Sequence, residues 1–220
     1  MDSLSLRSDD FSQLFTSEDY IIETAKSIGV FKPKLWREIF KKPLTKSIME
    51  AKILHTSTGL TIALKRYNRS PKKQTLDIAG LQGYDDKSRL LNDFLETHFL
   101  EFMECEIKRI DICIDFVKVP NRIIKKLCEN REPFQCSNTT YYKTKSEKKT
   151  NSVLDIKRYN KQKEAKLPKP MERIEFCFKG AYFSKGMKLK DLSQKFISKM
   201  EKSIKRFSGL DVKILSISYI

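Results

Sequence analysis

The chain contains little from which a disulfide framework or a local zinc site could be built. Its 220 residues include five cysteines, with no CxxC pair, and only two histidines, His55 and His98. This cysteine usage is typical of reduced thiols rather than of a secreted disulfide scaffold. The two histidines are too far apart in sequence to form a local metal motif. A metal site must therefore be built from carboxylates, or must take a histidine from a distance.

The chain also lacks a long apolar run. No stretch is long enough to span a bilayer, and the first residues are acidic and polar, unlike those of a signal peptide. We therefore expect a soluble, cytoplasmic protein with no membrane partner.

Positive charge, in contrast, is abundant. The sequence has 44 Lys and Arg against 28 Asp and Glu, a formal net charge of +16, and a pI of about 9.6. A field of this sign favours a polyanion, such as DNA, RNA or an anionic membrane. The alternative is a lysine-rich composition inherited from an AT-rich genome, which raises the charge without any binding role.

Hydrophobic periodicity divides the chain near residue 50. Residues 1–50 are predicted to be a mainly helical N-terminal segment. Residues 51–220 mix short strands with amphipathic helices at 88–105, 121–130 and 189–207, which indicates an α+β domain. We expect two ferredoxin-like (RRM-like) halves that share a mainly antiparallel sheet, with helices packed on one face.

Two predicted strands carry the same pattern 64 residues apart. Residues 109–116 read RIDICIDF and residues 173–180 read RIEFCFKG. Because side chains alternate across a strand, each has one apolar face and one face that carries an Arg, an acid and a Cys. The polar faces hold Arg109, Asp111, Cys113 and Asp115 on the first strand, and Arg173, Glu175, Cys177 and Lys179 on the second. A cross-strand salt-bridge ladder would account for this pattern, and so would a metal or catalytic site.

A third predicted strand, Val153–Lys161, adds a tyrosine and two lysines to this pattern. If it pairs antiparallel with the second strand, Tyr159 and Lys161 can share the polar face of Glu175. Carboxylates are the ligands that Mg²⁺ or Mn²⁺ prefers, so Asp111, Asp115 and Glu175 are candidate metal ligands. A tyrosine hydroxyl can attack phosphorus and form a covalent phosphotyrosine, with Lys161 or the metal favouring the phenolate.

Five short blocks, in this order, resemble the replication initiation factor family, the rolling-circle Rep proteins of some plasmids and filamentous phages. They are LDIAGL at 76–81, RIDICID at 109–115, TTYY at 139–142, RYNKQKE at 158–164 and ERIE at 172–175. The glycine that follows the third block in the family is replaced here by Lys143 or Thr144.

The resemblance implies a cytoplasmic initiator that nicks one strand of a rolling-circle origin through a tyrosine, with Mg²⁺ or Mn²⁺ as cofactor. It would leave a 5′-phosphotyrosine and a free 3′-OH, so residues 51–220 would be a Rep-like nicking domain. Tyr159 matches the nucleophile position, Lys161 and Glu164 match catalytic positions, and Asp111, Asp115 and Glu175 match acidic ones. The partners implied are single-stranded or hairpin origin DNA, a host helicase and a host polymerase; a homodimer is left open.

Several alternatives stay open at this point. The predicted DNA-binding residues are Arg109, Arg158, Arg173, Lys143, Lys157 and Tyr142. Tyr142 is also the rival nucleophile; since Tyr141 and Tyr142 point to opposite faces, one can be core and the other can stack on a base. The chain can also be a non-catalytic DNA-binding relative that regulates replication. An RNA-binding module is a third option, and it predicts exposed aromatic side chains on the sheet.

Overall fold

The computed structural model describes residues 3–11, 20–26, 47–55, 61–79, 86–144 and 153–214. Within these ranges the chain is α+β, as predicted, with ten strands and five α-helices. It divides into two compact units, the N-terminal unit Ser3–Lys108 and the C-terminal unit Arg109–Ile220.

The N-terminal unit is an antiparallel five-stranded sheet followed by two helices. Its elements are β1 (Ser3–Ser8), β2 (Tyr20–Lys26), β3 (Ile48–His55), β4 (Thr61–Tyr67), β5 (Ser70–Ala79), α1 (Asp86–Thr97) and α2 (Phe99–Met103). The strand order is β2-β3-β4-β5-β1. Leu6 and Leu76, partners across β1 and β5, are fully buried, as is Phe102 of α2. Burial of such side chains is the main source of stability of this unit.

The C-terminal unit contains five further antiparallel strands. Its elements are β6 (Glu106–Phe116, which begins in the N-terminal unit), α3 (Asn121–Asn130), β7 (Arg131–Cys136), β8 (Thr139–Thr144), β9 (Leu154–Asn160), α4 (Lys161–Ala165), β10 (Glu172–Lys179) and α5 (Gln194–Ser208). The strand order is β6-β10-β9-β8-β7. Ile174, Phe176 and Phe178 of β10 are completely buried and form the centre of the core.

Helix α5 shows why its sequence forms a helix there. Its buried residues Ile197, Met200 and Ile204 recur every three or four positions and so lie on one face. The Ser193 side chain caps the first turn by accepting a hydrogen bond from the Phe196 amide. The helix ends at Gly209, whose φ of +73° is left-handed and favours glycine. The predicted helix at 189–207 therefore starts later than expected, because Leu189–Asp191 is a separate 3₁₀ turn.

The two units share one strand order. In each, the last four strands form a meander and the first strand pairs with the last strand. The same sequence, Lys-Arg-Tyr-Asn, lies at the end of the fourth strand of each unit: residues 65–68, where β4 ends at Tyr67, and residues 157–160 of β9. In both cases its lysine pairs with an acid on the next strand, Lys65 with Asp77 and Lys157 with Glu175. The chain therefore contains two copies of one strand arrangement.

One prediction about the fold is corrected. Residues 1–50 are not helical where the structure describes them, because β1, β2 and the start of β3 are strands; residues 12–19 and 27–46 lie outside the described residues. The two strands that carry the repeated pattern, β6 and β10, are direct neighbours in one sheet.

Candidate functional site

The polar face of β9, β10 and β6 forms three rows of side chains across the sheet. Antiparallel pairing places β9 beside β10 as predicted, and it sets which residues lie opposite each other. The rows, in the order β9, β10, β6, are Tyr159–Arg173–Asp115, Lys157–Glu175–Cys113 and Asp155–Cys177–Asp111. Directly opposite side chains are close enough to interact, so charge pairing across these rows decides what the site can do.

Tyr159 and Glu175 are the central pair of this face. The Tyr159 hydroxyl donates a hydrogen bond to Oε2 of Glu175 at 3.2 Å. The Lys157 ammonium donates to Oε1 of Glu175 at 2.5 Å, and Arg109 reaches the same oxygen at 3.5 Å. Burial and the nearby negative charge of Glu175 raise the pKa of Tyr159 above its usual value. Tyr159 therefore keeps its proton at neutral pH, and Glu175 lies in position to accept that proton.

Asp111 is held by Arg109 at one end of the face. Its side chain is 1% exposed, and the Arg109 guanidinium binds both carboxylate oxygens, with Nε 2.8 Å from Oδ1. Burial acts to raise the pKa of Asp111, but the hydrogen bonds from Arg109 outweigh it and lower the pKa. Burial also contributes most to raising the pKa of the neighbouring Cys177 thiol, to about 12. Cys177 is therefore a protonated, buried thiol, not a nucleophile at neutral pH.

Asp115 forms a separate pair with Arg173. Arg173 is completely buried and donates to both carboxylate oxygens, from Nε at 2.7 Å and from Nη2 at 2.8 Å. This bidentate geometry is the strongest kind of ion pair that proteins make. The pair ties β10 to β6 in the row next to Glu175.

Lys161 and Glu164 lie just beyond the strand. Lys161 is the first residue of α4, and its ammonium pairs with Glu164 at 2.7 Å. The charge of Glu164 is one of the smaller influences that raise the pKa of Tyr159. Lys161 is predicted to favour the phenolate form of Tyr159. In the structure its ammonium instead pairs with Glu164, and the nearby charge of Glu175 favours the protonated form of Tyr159. Their catalytic roles stay predictions.

The predicted DNA-binding residues divide by face and by burial. Arg109, Lys157 and Lys143 have side chains that reach the surface of the polar face, 39% and 21% exposed for the first two. Tyr142 is 2% exposed and lies opposite Ile156 in the core, away from the polar face, so the structure gives no support to its predicted roles as a DNA contact and as the rival nucleophile. Arg173 is buried and paired with Asp115, so its predicted DNA contact is likewise unsupported. Arg158 alternates with Lys157 and Tyr159, so it points to the opposite face.

The three predicted metal ligands do not form a shared site. Among the described residues, no group of three His, Cys, Asp or Glu side chains is arranged to hold a metal ion. Each of the three carboxylates is instead bound by a cation: Asp111 by Arg109, Asp115 by Arg173, and Glu175 by Lys157. His98 packs against Phe94 and Phe102 in the N-terminal unit, and the His55 side chain lies outside the described set. This arrangement does not fit a carboxylate centre for Mg²⁺ or Mn²⁺, so metal dependence stays a prediction.

Two aromatic side chains next to the site, Tyr141 and Phe134, lie opposite each other, which the sequence did not predict. Tyr141 of β8 lies opposite Lys157 on the polar face, and Phe134 of β7 lies opposite Tyr141. Phe134 is 52% exposed, and the Lys143 ammonium lies 4.5 Å from the centre of its ring. Strand β7 was not predicted, because Pro133 interrupts its pattern. Phe134 shares one face of β7 with Glu132 and Cys136, so no apolar alternation marks this strand in the sequence.

Positive charge is concentrated in the unit that carries this site. Residues 109–220 contain 27 Lys and Arg against 12 Asp and Glu, a net charge of +15. Residues 1–108 contain 17 against 16, a net charge of +1. A composition bias of the genome would raise the charge of both parts alike, so the asymmetry favours a binding role for the C-terminal unit.

Comparisons with known proteins leave the family open. No family model matches the chain, and no curated protein matches it. One solved structure, described as a rolling circle replication initiator protein from Geobacillus stearothermophilus, is similar at 12% identity with a TM-score of 0.44. The alignment covers 94% of this chain and 83% of that one. A likeness this weak assigns neither family nor function. No helix in the described part of the chain is long and apolar enough to cross a membrane.

Proposed function

We propose that the chain is a replication initiator that binds origin DNA and cuts one strand through Tyr159. The observation that carries this proposal is the hydrogen bond from the Tyr159 hydroxyl to Glu175, which also pairs with Lys157. Tyr159 lies in the block that resembles the nucleophile block of replication initiation factors. The net charge of +15 on residues 109–220 supports a nucleic-acid substrate.

The proposed chemistry uses residues that already contact one another. Glu175 takes the Tyr159 proton as the tyrosine oxygen attacks phosphorus. The bond from phosphorus to the 3′-oxygen breaks, and that oxygen leaves with the electron pair and takes a proton from solvent. The products are a 5′-phosphotyrosine and a free 3′-OH, so the phosphodiester energy is kept for rejoining. Lys157 and Arg109, which both reach Glu175, would hold the phosphate oxygens in line for attack.

Metal dependence is proposed separately, because no step above requires a metal. A bound Mg²⁺ or Mn²⁺ would polarise the phosphate. Asp111 and Glu175, which both contact Arg109, would be its ligands. Arg109 would have to move off them to admit the ion. Adduct formation measured in EDTA and again in Mn²⁺ tests this point independently of the nucleophile.

The test of the function is a covalent adduct on single-stranded and supercoiled DNA that carries the replicon's origin. The wild-type chain should give an SDS-resistant protein–DNA adduct that maps to a peptide with Tyr159. Tyr159→Phe should give none, because phenylalanine has no hydroxyl to form the ester. Glu175→Gln should form the adduct 10²- to 10⁴-fold more slowly, an estimate of roughly that size for loss of a general base.

Tyr141→Phe is the matched control, because it removes a hydroxyl from the same face of the neighbouring strand. It should form the adduct at the wild-type rate. An adduct with Tyr159→Phe would place the nucleophile elsewhere.

A non-catalytic DNA-binding relative is the second candidate function. The observation in its favour is that cations pair with Asp111, Asp115 and Glu175, which leaves the polar face as a closed set of ion pairs. A wild-type chain that binds origin DNA and never forms an adduct, with or without Mn²⁺, would select this function. The proposed roles of a host helicase, a host polymerase and a homodimer apply to either candidate.

A further inference from the structure

We infer that the β7–β8 hairpin is a binding platform for unpaired DNA bases, which stack on Phe134 and Tyr141. This inference rests on the proposed function, because it specifies the form of DNA that is delivered to Tyr159. Its evidence is separate, since it depends on strands β7 and β8 rather than on the tyrosine–carboxylate pair.

The first observation is an exposed aromatic ring on a sheet face. Four large apolar side chains are clearly exposed among the described residues, and Phe134 is the aromatic one, at 52%. Burial of this ring would stabilise the unit. A single exposed apolar side chain is common on protein surfaces, so the inference depends on what surrounds this ring. Proteins that bind single-stranded nucleic acid use exposed aromatic rings of this kind, because every base has a face on which a ring can stack.

The second observation is that the ring belongs to a continuous row that leads to the candidate nucleophile. Phe134 lies opposite Tyr141, Tyr141 opposite Lys157, and Lys157 opposite Glu175. Phe134 and Glu175 are therefore three strand spacings apart, about 14 Å. A strand that reaches Tyr159 can place neighbouring bases on Tyr141 and Phe134 without leaving the face.

The third observation is the charge around the rings. The Lys143 ammonium lies 4.5 Å from the centre of the Phe134 ring and is exposed, so it can contact a phosphate while a base stacks beside it. Lys157 provides a second cation, opposite Tyr141 in the same row. Aromatic rings flanked by cations match the bases and phosphates of a single strand.

The edge of the sheet argues against a protein strand as the occupant. Strand β7 is the outermost strand of its unit, but Pro133 removes a backbone donor from the middle of that edge. An added strand would therefore pair poorly there. The face of the hairpin, not its edge, is the available surface.

The experiment measures the affinity of the full chain for a labelled dT12 oligonucleotide in EDTA. The probes for comparison are a 12-mer of abasic sites with the same phosphates, a 12-base-pair duplex and U12. The wild-type chain should bind dT12 about tenfold more tightly than the abasic probe or the duplex, the size expected for one or two stacked bases. Phe134→Leu and Tyr141→Leu should lose most of that preference without changing the affinity for the abasic probe.

The controls separate stacking from folding and from cutting. Tyr141→Phe keeps the ring and Val117→Ala removes another exposed apolar side chain, 77% exposed, so both should bind dT12 like wild type. Phe134→Trp should bind at least as tightly and show fluorescence quenched by dT12, above the background of Trp36, the one natural tryptophan. Tyr159→Phe should also bind dT12 normally, so a failure of adduct formation leaves this inference standing.

Three results would overturn the inference. They are equal wild-type affinity for dT12 and the abasic probe, unchanged dT12 binding by Phe134→Leu, or tighter binding of the duplex. Binding of U12 tenfold tighter than dT12 would replace DNA by RNA as the occupant.

Discussion

Arg173 shows what a sequence pattern predicts about a residue and what it does not. The sequence placed it correctly on a polar strand face, and a basic residue on such a face beside a proposed DNA site suggested a phosphate contact. The structure buries it completely and pairs it with Asp115 through two hydrogen bonds. A buried guanidinium that is paired with a carboxylate stabilises the two strands and is not exposed to contact a phosphate.

Replacing Arg173 should therefore affect stability. We expect Arg173→Met to lower the free energy of unfolding by about 2–3 kcal/mol, because it leaves the Asp115 carboxylate without its bidentate partner. The matched variant is Lys179→Met, on the same strand and face, whose pair with Asp155 is about one third exposed on both sides. That change should cost under about 1 kcal/mol. Urea unfolding followed by circular dichroism measures both, and equal losses would contradict the structural role.

The sequence predicted the Tyr159–Glu175 neighbourhood but not its ion pairs. Strict alternation in β6, β9 and β10 is enough to decide which side chains share a face. It does not decide which residue of one strand lies opposite which residue of the next. The register between β9 and β10 places Lys157 opposite Glu175, and the separate register between β10 and β6 places Arg173 opposite Asp115.

At the scale of elements, predictions succeeded where one face of an element is buried. Helix α3 occupies 121–130 as predicted, because Ile123 and Leu127 point into the core. Strand β7 was missed because it is an edge strand with five of its six residues exposed, so no apolar face marks it. Strand β2 was predicted as a helix. Its sequence, YIIETAK, has apolar residues at positions that suit either a helix or a strand, and pairing with β3 decides between them.

The Glu106 carboxylate contacts cations on β1, β5 and β6, and these contacts predict that the free energy of unfolding depends on pH. Glu106 of β6 accepts from Arg7 of β1 and Lys73 of β5, and Lys108 also pairs with it. Burial acts to raise the pKa of Glu106, but these cations outweigh it and lower the pKa to about 2. A pKa lowered by folding adds stability above the unfolded value, near 4.3, and that stability is lost as the pH falls towards 2.

Glu106→Gln should therefore be less stable than wild type at pH 7, by about 1–2 kcal/mol. The difference should stay constant down to about pH 4.5 and shrink as the pH falls towards 2, the range given by the lowered pKa. Urea midpoints at pH 7, 4.5 and 3 provide the measurement. Glu129→Gln is the control, because its pair with Lys126 is exposed and should contribute little at any pH. A difference that grows on acidification would contradict the assignment.

At the scale of the whole molecule, the same strand order serves two units of different charge. Both units carry Lys-Arg-Tyr-Asn at the end of the fourth strand and pair that lysine with an acid on the next strand. Yet the net charge is +1 on residues 1–108 and +15 on residues 109–220. The fold alone therefore does not carry the function. The charge and the aromatic row distinguish the C-terminal unit, and they support the proposal that this unit binds nucleic acid.

This asymmetry predicts that DNA affinity depends on where the charge lies and not on the total. For a single strand, log Kobs falls with log salt by about 0.7 for each phosphate neutralised. Removing Lys143 and Lys163, both exposed in the C-terminal unit, as Lys143→Gln and Lys163→Gln should reduce the slope for dT12 by about 1.4. The matched double variant, Arg69→Gln with Lys72→Gln, removes two exposed charges from the N-terminal unit and should leave the slope unchanged. Titrations between 50 and 200 mM salt, on the order used for such slopes, measure both variants. Equal reductions would mean that binding follows net charge, and the C-terminal unit would lose its special role.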